Sequence, residues 1–152
     1  MSREKQQKTA ILRGFCEVYV IISRGFRLHE DKDVVTLLYT KDNNLGDNYM
    51  KIEKLINATA PSTFLDSIMV YNAYQDLFYS SFYYPFDARL KPSDNPRYSL
   101  ISDFIKNKRD QDFRQWIPFS TKRDGVNDIF SFIIYEPETS DNKQSALILN
   151  VE

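Results

Sequence analysis

The final quarter of the chain constrains the fold most, because it has the pattern of two strands joined by a polar turn. Residues 129–135 alternate with a period of two, which is typical of a strand with one buried face. Residues 140–143 are turn-forming, and the apolar pattern resumes over residues 146–151. The pattern predicts an antiparallel strand pair. Because the sequence stops at this strand, we expect the chain to be a fragment of a longer protein.

Composition predicts a single globular domain over residues 1–152. The chain is 42% hydrophobic and 14% aromatic, which supplies the core of one domain. Twenty basic and twenty-one acidic residues leave a net charge of −1, which argues against a nucleic-acid surface. The sequence has no apolar run long enough to span a membrane and no secretory signal. The isolated chain is therefore expected to be soluble.

The sequence lacks the usual motifs of enzymes and metal sites. Its one cysteine, Cys16, excludes an internal disulfide and is expected to be packed within an apolar run. Its one histidine, His29, lies among charged residues and is expected to be solvated. Asp124 and Asp128 flank a glycine turn and are interpreted as solvated turn residues, the alternative being a catalytic carboxylate pair. The sequence thus predicts no catalysis, no metal and no cofactor.

The first third of the chain predicts three helices. Apolar residues at helical spacing indicate a long helix within residues 1–30, although the β-branched residues in it also suit a strand. These apolar residues are Ile11, Phe15, Val18, Ile22 and Phe26. Gly25 is expected to end or weaken this helix. A short second helix is expected with Asp33 as its N-cap, and a third is expected to run to about Ala58. Residues 41–48 are interpreted as a loop.

The rest of the chain predicts strands around one further helix. Residues 68–71 and 77–80 flank a five-residue connection and are expected to form a hairpin. The proline-rich residues 82–96 are interpreted as a loop. Residues 100–105 have helical spacing, and the basic residues after them favour a helix C-terminus. A short strand is expected around Phe119, ahead of the final strand pair.

Three stretches resemble the extracytoplasmic Cache sensor domain, which is a PAS-like fold. FLDSIMVYNAYQDLFYSS is similar to the hairpin that these sensors place after their membrane-proximal helices, and VVTLLYTKDN to the short helix before it. DIFSFIIYEPETSDNKQSALILNVE is similar to the closing strand pair. Together, over residues 33–152, they resemble the sensing region of membrane-anchored AraC-type transcriptional regulators of bacteria. The resemblance implies an α+β fold, with a central antiparallel sheet, a long N-terminal helix and short flanking helices.

The resemblance also implies a function. In the family, a small molecule or envelope signal binds the sensor at the extracytoplasmic face of the membrane, without catalysis. Flanking helices carry the change across the membrane to an intracellular DNA-binding module. The sequence in hand contains neither the membrane helices nor that module, so it is expected to bind a ligand and not nucleic acid.

Candidate ligand-binding residues follow from the resemblance. Amino-acid-binding Cache domains share an Arg-x-Trp-Tyr element and an Asp on the last strand. Arg114 and Trp116 match this element, Ile117 replaces its Tyr, and Asn150 stands about where the Asp would be. The resemblance implies that Arg114 clamps a carboxylate, Trp116 lines the pocket and Asn150 offers neutral hydrogen bonds. The alternative is that these residues serve ordinary packing.

Two tyrosines complete the candidate site, and one alternative function stays open. Tyr71 and Tyr135 lie on predicted strands that would face the pocket, or else pack in the core. The alternative function is a PAS-like interaction module with no small-molecule ligand. Such a module would form a homodimer through the apolar stripe of the N-terminal helix, and its own aromatic residues would fill the pocket.

Overall fold

A computed structural model describes residues 16, 19–41, 45–59, 64–81, 89–107, 114–117, 130–135 and 143–151. Within these ranges the helices are α1 over residues 19–30, α2 at Lys32–Tyr39, α3 at Leu45–Thr59 and α4 at Pro96–Asn107. The strands are β1 at Leu65–Asn72, β2 at Leu77–Ser80, β3 at Arg89–Leu90, β4 at Arg114–Ile117, β5 at Phe130–Tyr135 and β6 at Ala146–Val151. A 3₁₀ turn at Pro92–Asp94 precedes α4.

The described strands form one antiparallel sheet in the order β3-β2-β1-β6-β5-β4. The C-terminal strand β6 therefore lies in the middle, between the first hairpin and β5. On β6, Ala146 pairs with Tyr71 of β1 and with Tyr135 of β5. Mixed helix and strand with a central antiparallel sheet confirm the predicted α+β class.

Helices cover both faces of the sheet. On one face, apolar residues of α1, α2 and α3, such as Ile21, Leu37 and Leu55, pack against the strands. We call this the α1–α3 face. On the other, the α4 face, Ile101 and Ile105 of α4 pack against alternate residues of the same strands. The prediction that the strand over residues 129–135 is half-buried is therefore wrong, because a strand between two helical layers is buried on both sides.

The start of α2 differs by two residues from the prediction. Asp31, not Asp33, is the N-cap, and its Oδ1 accepts hydrogen bonds from the N–H groups of Asp33 at 2.9 Å and Val34 at 3.4 Å. Lys54 of α3 forms ion pairs with both carboxylates and joins the two helices. Partial burial acts to raise the pKa of Asp31, but the Asp33 N–H and Lys54 outweigh it and lower that pKa.

Gly25 lies inside α1, so the expectation that it ends the helix is wrong. An added Cβ at Gly25 would lie 2.9 Å from Cδ1 of Leu149 and 3.2 Å from Cδ1 of Ile134. These contacts show that α1 crosses β5 and β6 at close range. The missing side chain serves this approach rather than helix termination.

Several smaller predictions are also corrected. α3 begins at Leu45, inside the predicted loop 41–48, and β3 lies inside the predicted loop 82–96. Cys16 is exposed rather than packed, and His29 is half-buried rather than solvated. The strand expected around Phe119 lies outside the described residues, as do Asp124 and Asp128; the structure has β4 immediately before that position. The predicted hairpin, the helix over residues 100–105 and the closing strand pair are confirmed.

Among the described helices, none combines the length and the apolar character needed to cross a membrane.

Candidate functional site

The α4 face carries a row of polar residues across the three central strands. Ser67 of β1 pairs with Asn150 of β6, which in turn pairs with Ser131 of β5. We call these three residues the polar row. The relative exposure of Ser67 is 3%, and Ser131 and Asn150 are fully buried. Directly opposite residues of antiparallel strands share a face, so the register itself brings these side chains together.

Hydrogen bonds connect the polar row from end to end. The Ser131 hydroxyl donates to Oδ1 of Asn150 at 2.7 Å. The Asn150 amide donates to Oγ of Ser67 at 2.9 Å and to Sδ of Met69 at 3.1 Å. The Ser67 hydroxyl donates to Oδ2 of the half-buried Asp66 at 2.9 Å. Because buried polar groups without partners are costly, this network stabilises three polar residues inside an otherwise apolar sheet.

The two predicted tyrosines lie farther along the same face. Tyr71 and Tyr135 flank Ala146, which precedes Asn150 by four residues on β6. At about 3.3 Å per residue, the tyrosines are about 13 Å from the polar row. Burial, reinforced by a hydrogen bond to Asp76, raises the pKa of Tyr71, and burial alone raises the pKa of Tyr135. Both phenols are therefore neutral at physiological pH.

The β4 register separates Arg114 and Trp116 from the other predicted site residues. Arg114 pairs with Ile134 and Trp116 pairs with Phe132. Ile134 and Phe132 belong to the core of the α1–α3 face. The structure thus brings Tyr71, Tyr135 and Asn150 to the α4 face and places the Arg114 and Trp116 positions on the opposite one. A ligand-binding role for each of the five residues stays a prediction.

Asn150 is predicted as a site residue from the sequence, but the residues that contact it are not. Ser67, Ser131 and Met69 were not predicted as site residues. A usable signal was present, because β5 and β6 each carry one small polar residue within an apolar run, Ser131 and Asn150, and β1 carries Ser67 directly before its apolar run. Their alignment into one row depends on β6 lying between β1 and β5, which local patterns do not reveal.

The α4 face carries both polar and aromatic side chains. It combines neutral hydrogen-bonding groups with the aromatic rings of Tyr71, Phe78 and Tyr98, whose neighbouring centroids are 4.9 and 5.4 Å apart. Across the described part of the chain, His, Cys, Asp and Glu side chains do not form groups of three suited to a metal ion.

Comparison of the chain with protein-family models, with curated proteins and with solved structures gives no match.

Proposed function

We propose that this chain is the signal-receiving domain of a bacterial transmembrane transcriptional regulator or signalling receptor, and that it binds a small molecule without catalysis. The resemblance of the hairpin, the short helix and the closing strands to Cache sensors supports this proposal. The α+β architecture agrees with it. The proposal extends to an extracytoplasmic location, with membrane and DNA-binding segments supplied by a longer protein.

The observation that carries the proposal is the polar row on the α4 face. Small-molecule sites typically combine apolar and aromatic walls with a few convergent polar groups. Ser67, Ser131 and Asn150 are such a convergent set, and they lie on the three central strands. In the proposed mechanism, ligand contacts at Asn150 alter β6, and the preceding residue on that strand, Leu149, lies close to α1 at Gly25. A ligand shifts α1 only if its contacts differ between the two arrangements of the helix.

A thermal-shift screen of the purified chain tests the proposal. The panel contains amino acids, sugars, organic acids, amines and nucleobases. A ligand at about one hundred times its Kd adds about 2.7 kcal/mol to the free energy of unfolding, which raises Tm by several degrees. A cooperative melt that no compound shifts would contradict the sensor proposal.

Substitutions on the two sheet faces then locate the site. We expect Asn150→Ser to weaken binding of a hit by tenfold or more, because the shorter side chain cannot reach both neighbouring serines. Arg114→Gln should leave that affinity within about twofold, because its position belongs to the opposite face. The reverse result would place the ligand on the α1–α3 face, with Arg114 and Trp116 as the predicted contacts.

The alternative, an interaction module without a ligand, is favoured by a different observation. Tyr19 and Val20 of α1 are 72% and 45% exposed. Ile22 and Phe26, from the stripe predicted for dimerisation, pack against the core of the α1–α3 face, whereas Ile11, Phe15 and Val18 lie outside the described residues. On this alternative, Tyr19 and Val20 contact a second copy of the chain.

Sedimentation velocity over a range of concentrations tests the alternative. A dimer that weakens at least tenfold in Tyr19→Ser, with an unchanged Tm, supports it. Leu100→Ser is the matched control, since Leu100 is similarly exposed but lies on α4. A monomer at all concentrations contradicts the alternative.

A further inference from the structure

The hydrogen bonds of the polar row all run in one direction. The donor hydrogens point from Ser131 to Asn150, from Asn150 to Ser67 and from Ser67 to Asp66. An ionised carboxylate accepts hydrogen bonds and donates none. Asp66 is the last acceptor in this series of hydrogen bonds. It therefore fixes the direction of every hydrogen bond before it, including the orientation of the Asn150 amide.

The donor hydrogens of the polar row are all used within the protein, and this determines which groups of a ligand the row can bind. Each serine hydroxyl has one hydrogen and the asparagine amide has two. All four are directed at protein acceptors, since the second amide hydrogen points to Met69 Sδ. The remaining capacity consists of lone pairs, chiefly on Oγ of Ser131 and Oδ1 of Asn150.

We propose that the polar row is a hydrogen-bond acceptor site, and that its ligand presents hydroxyl or ammonium donors to Ser131 and Asn150. This inference rests on the proposed sensing function and specifies the ligand class of that site. The row is buried, so a ligand group that reaches it is enclosed as well. A group with acceptors only, such as a carboxylate, would meet lone pairs alone, and that mismatch is costly away from water.

The discriminating measurement is calorimetric titration of the chain with three probes of similar size. Putrescine and 1,4-butanediol carry ammonium and hydroxyl donors on four carbons, and succinate is the acceptor-only counterpart. We expect one of the donor probes to bind, and we expect at least tenfold weaker binding of that probe by Asn150→Ser. Putrescine alone binding would assign the site to amines, and butanediol alone would assign it to hydroxylated ligands.

The substitution Asp66→Asn tests the direction of the hydrogen bonds in the polar row. An asparagine at this position can donate as well as accept, so the hydrogen bonds are no longer held in one direction. We expect this variant to bind the donor probe at least fivefold more weakly. Glu53→Gln is the control for the lost charge, because Glu53 is exposed on α3 at the opposite face, and it should bind as the unmodified chain does.

The outcomes separate this inference from the proposed function. Succinate binding that Asn150→Ser abolishes would overturn the donor rule and leave the sensing function intact. Failure of these probes and of the whole thermal-shift panel would overturn both. If a variant does not fold, hydrogen exchange of the Asn150 side-chain amide in the unmodified chain, measured by NMR, tests the hydrogen-bond direction instead. Both amide hydrogens should exchange slowly in the ligand-free chain. Rapid exchange of either would contradict the hydrogen-bond direction.

Discussion

At the scale of single residues, Asn72 shows how one side chain joins three elements. Its buried amide donates to the carbonyls of Leu37 at 2.7 Å and Thr40 at 2.9 Å, at the C-terminal end of α2. Its Oδ1 accepts from the N–H groups of Tyr74 and Gln75 in the turn between β1 and β2. Helix ends leave carbonyls without helical partners, so Asn72 satisfies the end of α2 and the turn together.

We predict that Asn72→Ala destabilises the chain by about 2–4 kcal/mol, because it leaves buried carbonyl and N–H groups without partners. Urea denaturation measures the change in the free energy of unfolding. Asn57→Ala is the control: Asn57 is exposed on α3, where alanine favours the helix, and stability should not fall. Equal losses in the two variants would contradict the role assigned to Asn72.

Asp76 supplies a pH-dependent contribution to stability. Its backbone has a φ of 52°, a conformation that Asp and Asn tolerate, and its Oδ1 accepts from the Tyr71 hydroxyl at 2.7 Å and pairs with Lys106 at 2.9 Å. Partial burial acts to raise the pKa of Asp76, but hydrogen bonds from Lys106 and Tyr71 outweigh it and lower that pKa.

A carboxyl with a lowered pKa stabilises the fold above its unfolded-state pKa, about 3.9, and loses that contribution as pH falls through the folded value. Asp76→Asn keeps the acceptor and the turn but removes the charge. Because the ion pair is half-exposed, we expect the variant to be about 0.5 kcal/mol less stable at pH 7 and equal to the unmodified chain near pH 2. Urea denaturation between pH 2 and 7 measures this. A constant or growing deficit at low pH would contradict it.

At the scale of elements, local sequence patterns were sufficient to predict those helices and strands whose structure depends mainly on their own residues. The hairpin, α4 and the closing strands have uninterrupted periodicity, and Asn95 caps α4 immediately before Pro96. β3 has two residues and depends on its pairing with β2, so no local signal marks it. The α2 cap was misplaced because Asp31 and Asp33 are both good caps by residue type.

Gly25 provides the sharpest test of how α1 packs on the sheet. Gly→Ala inside a helix ordinarily gains about 1 kcal/mol, but here the added Cβ meets the flexible ends of Leu149 and Ile134. We therefore expect Gly25→Ala to be nearly neutral and Gly25→Val to cost about 1–3 kcal/mol.

A double-mutant cycle with Leu149→Ala then separates packing from helix propensity. If the bulk added at Gly25→Val meets Leu149, shortening Leu149 relieves part of the cost, and the coupling energy exceeds about 0.5 kcal/mol. Thermal denaturation of the four proteins measures it. Additive losses would show that α1 does not approach β6 as described.

At the scale of the whole molecule, the sheet lies between two helical layers, α1–α3 and α4. The sequence did not predict which helices pack on which face. Alternation along β1, β5 and β6 predicted strands, but it did not show which residues face which helices. That assignment depends on the strand order, which brings Asn150 between Ser67 and Ser131 and puts Arg114 and Trp116 in the register of the other face. Long-range pairing therefore placed the predicted ligand-binding residues on two different faces, although all three strands that carry the polar row were predicted.

The shared sheet also predicts how the chain unfolds. The α1–α3 layer and α4 pack on opposite faces of the same central strands, so neither layer keeps its core when the sheet is lost. We expect a single transition in urea, in which far-UV circular dichroism and the fluorescence of Trp116, the one tryptophan of the chain, coincide.

Leu37→Ala on α2 and Ile101→Ala on α4 each remove buried apolar volume and should lower the free energy of unfolding by about 2–4 kcal/mol. Each should move both signals to the same new midpoint, because each weakens one cooperative unit. Separate midpoints, or an Ile101→Ala variant that shifts only one signal, would mean that the two layers unfold independently and that the sheet does not couple them.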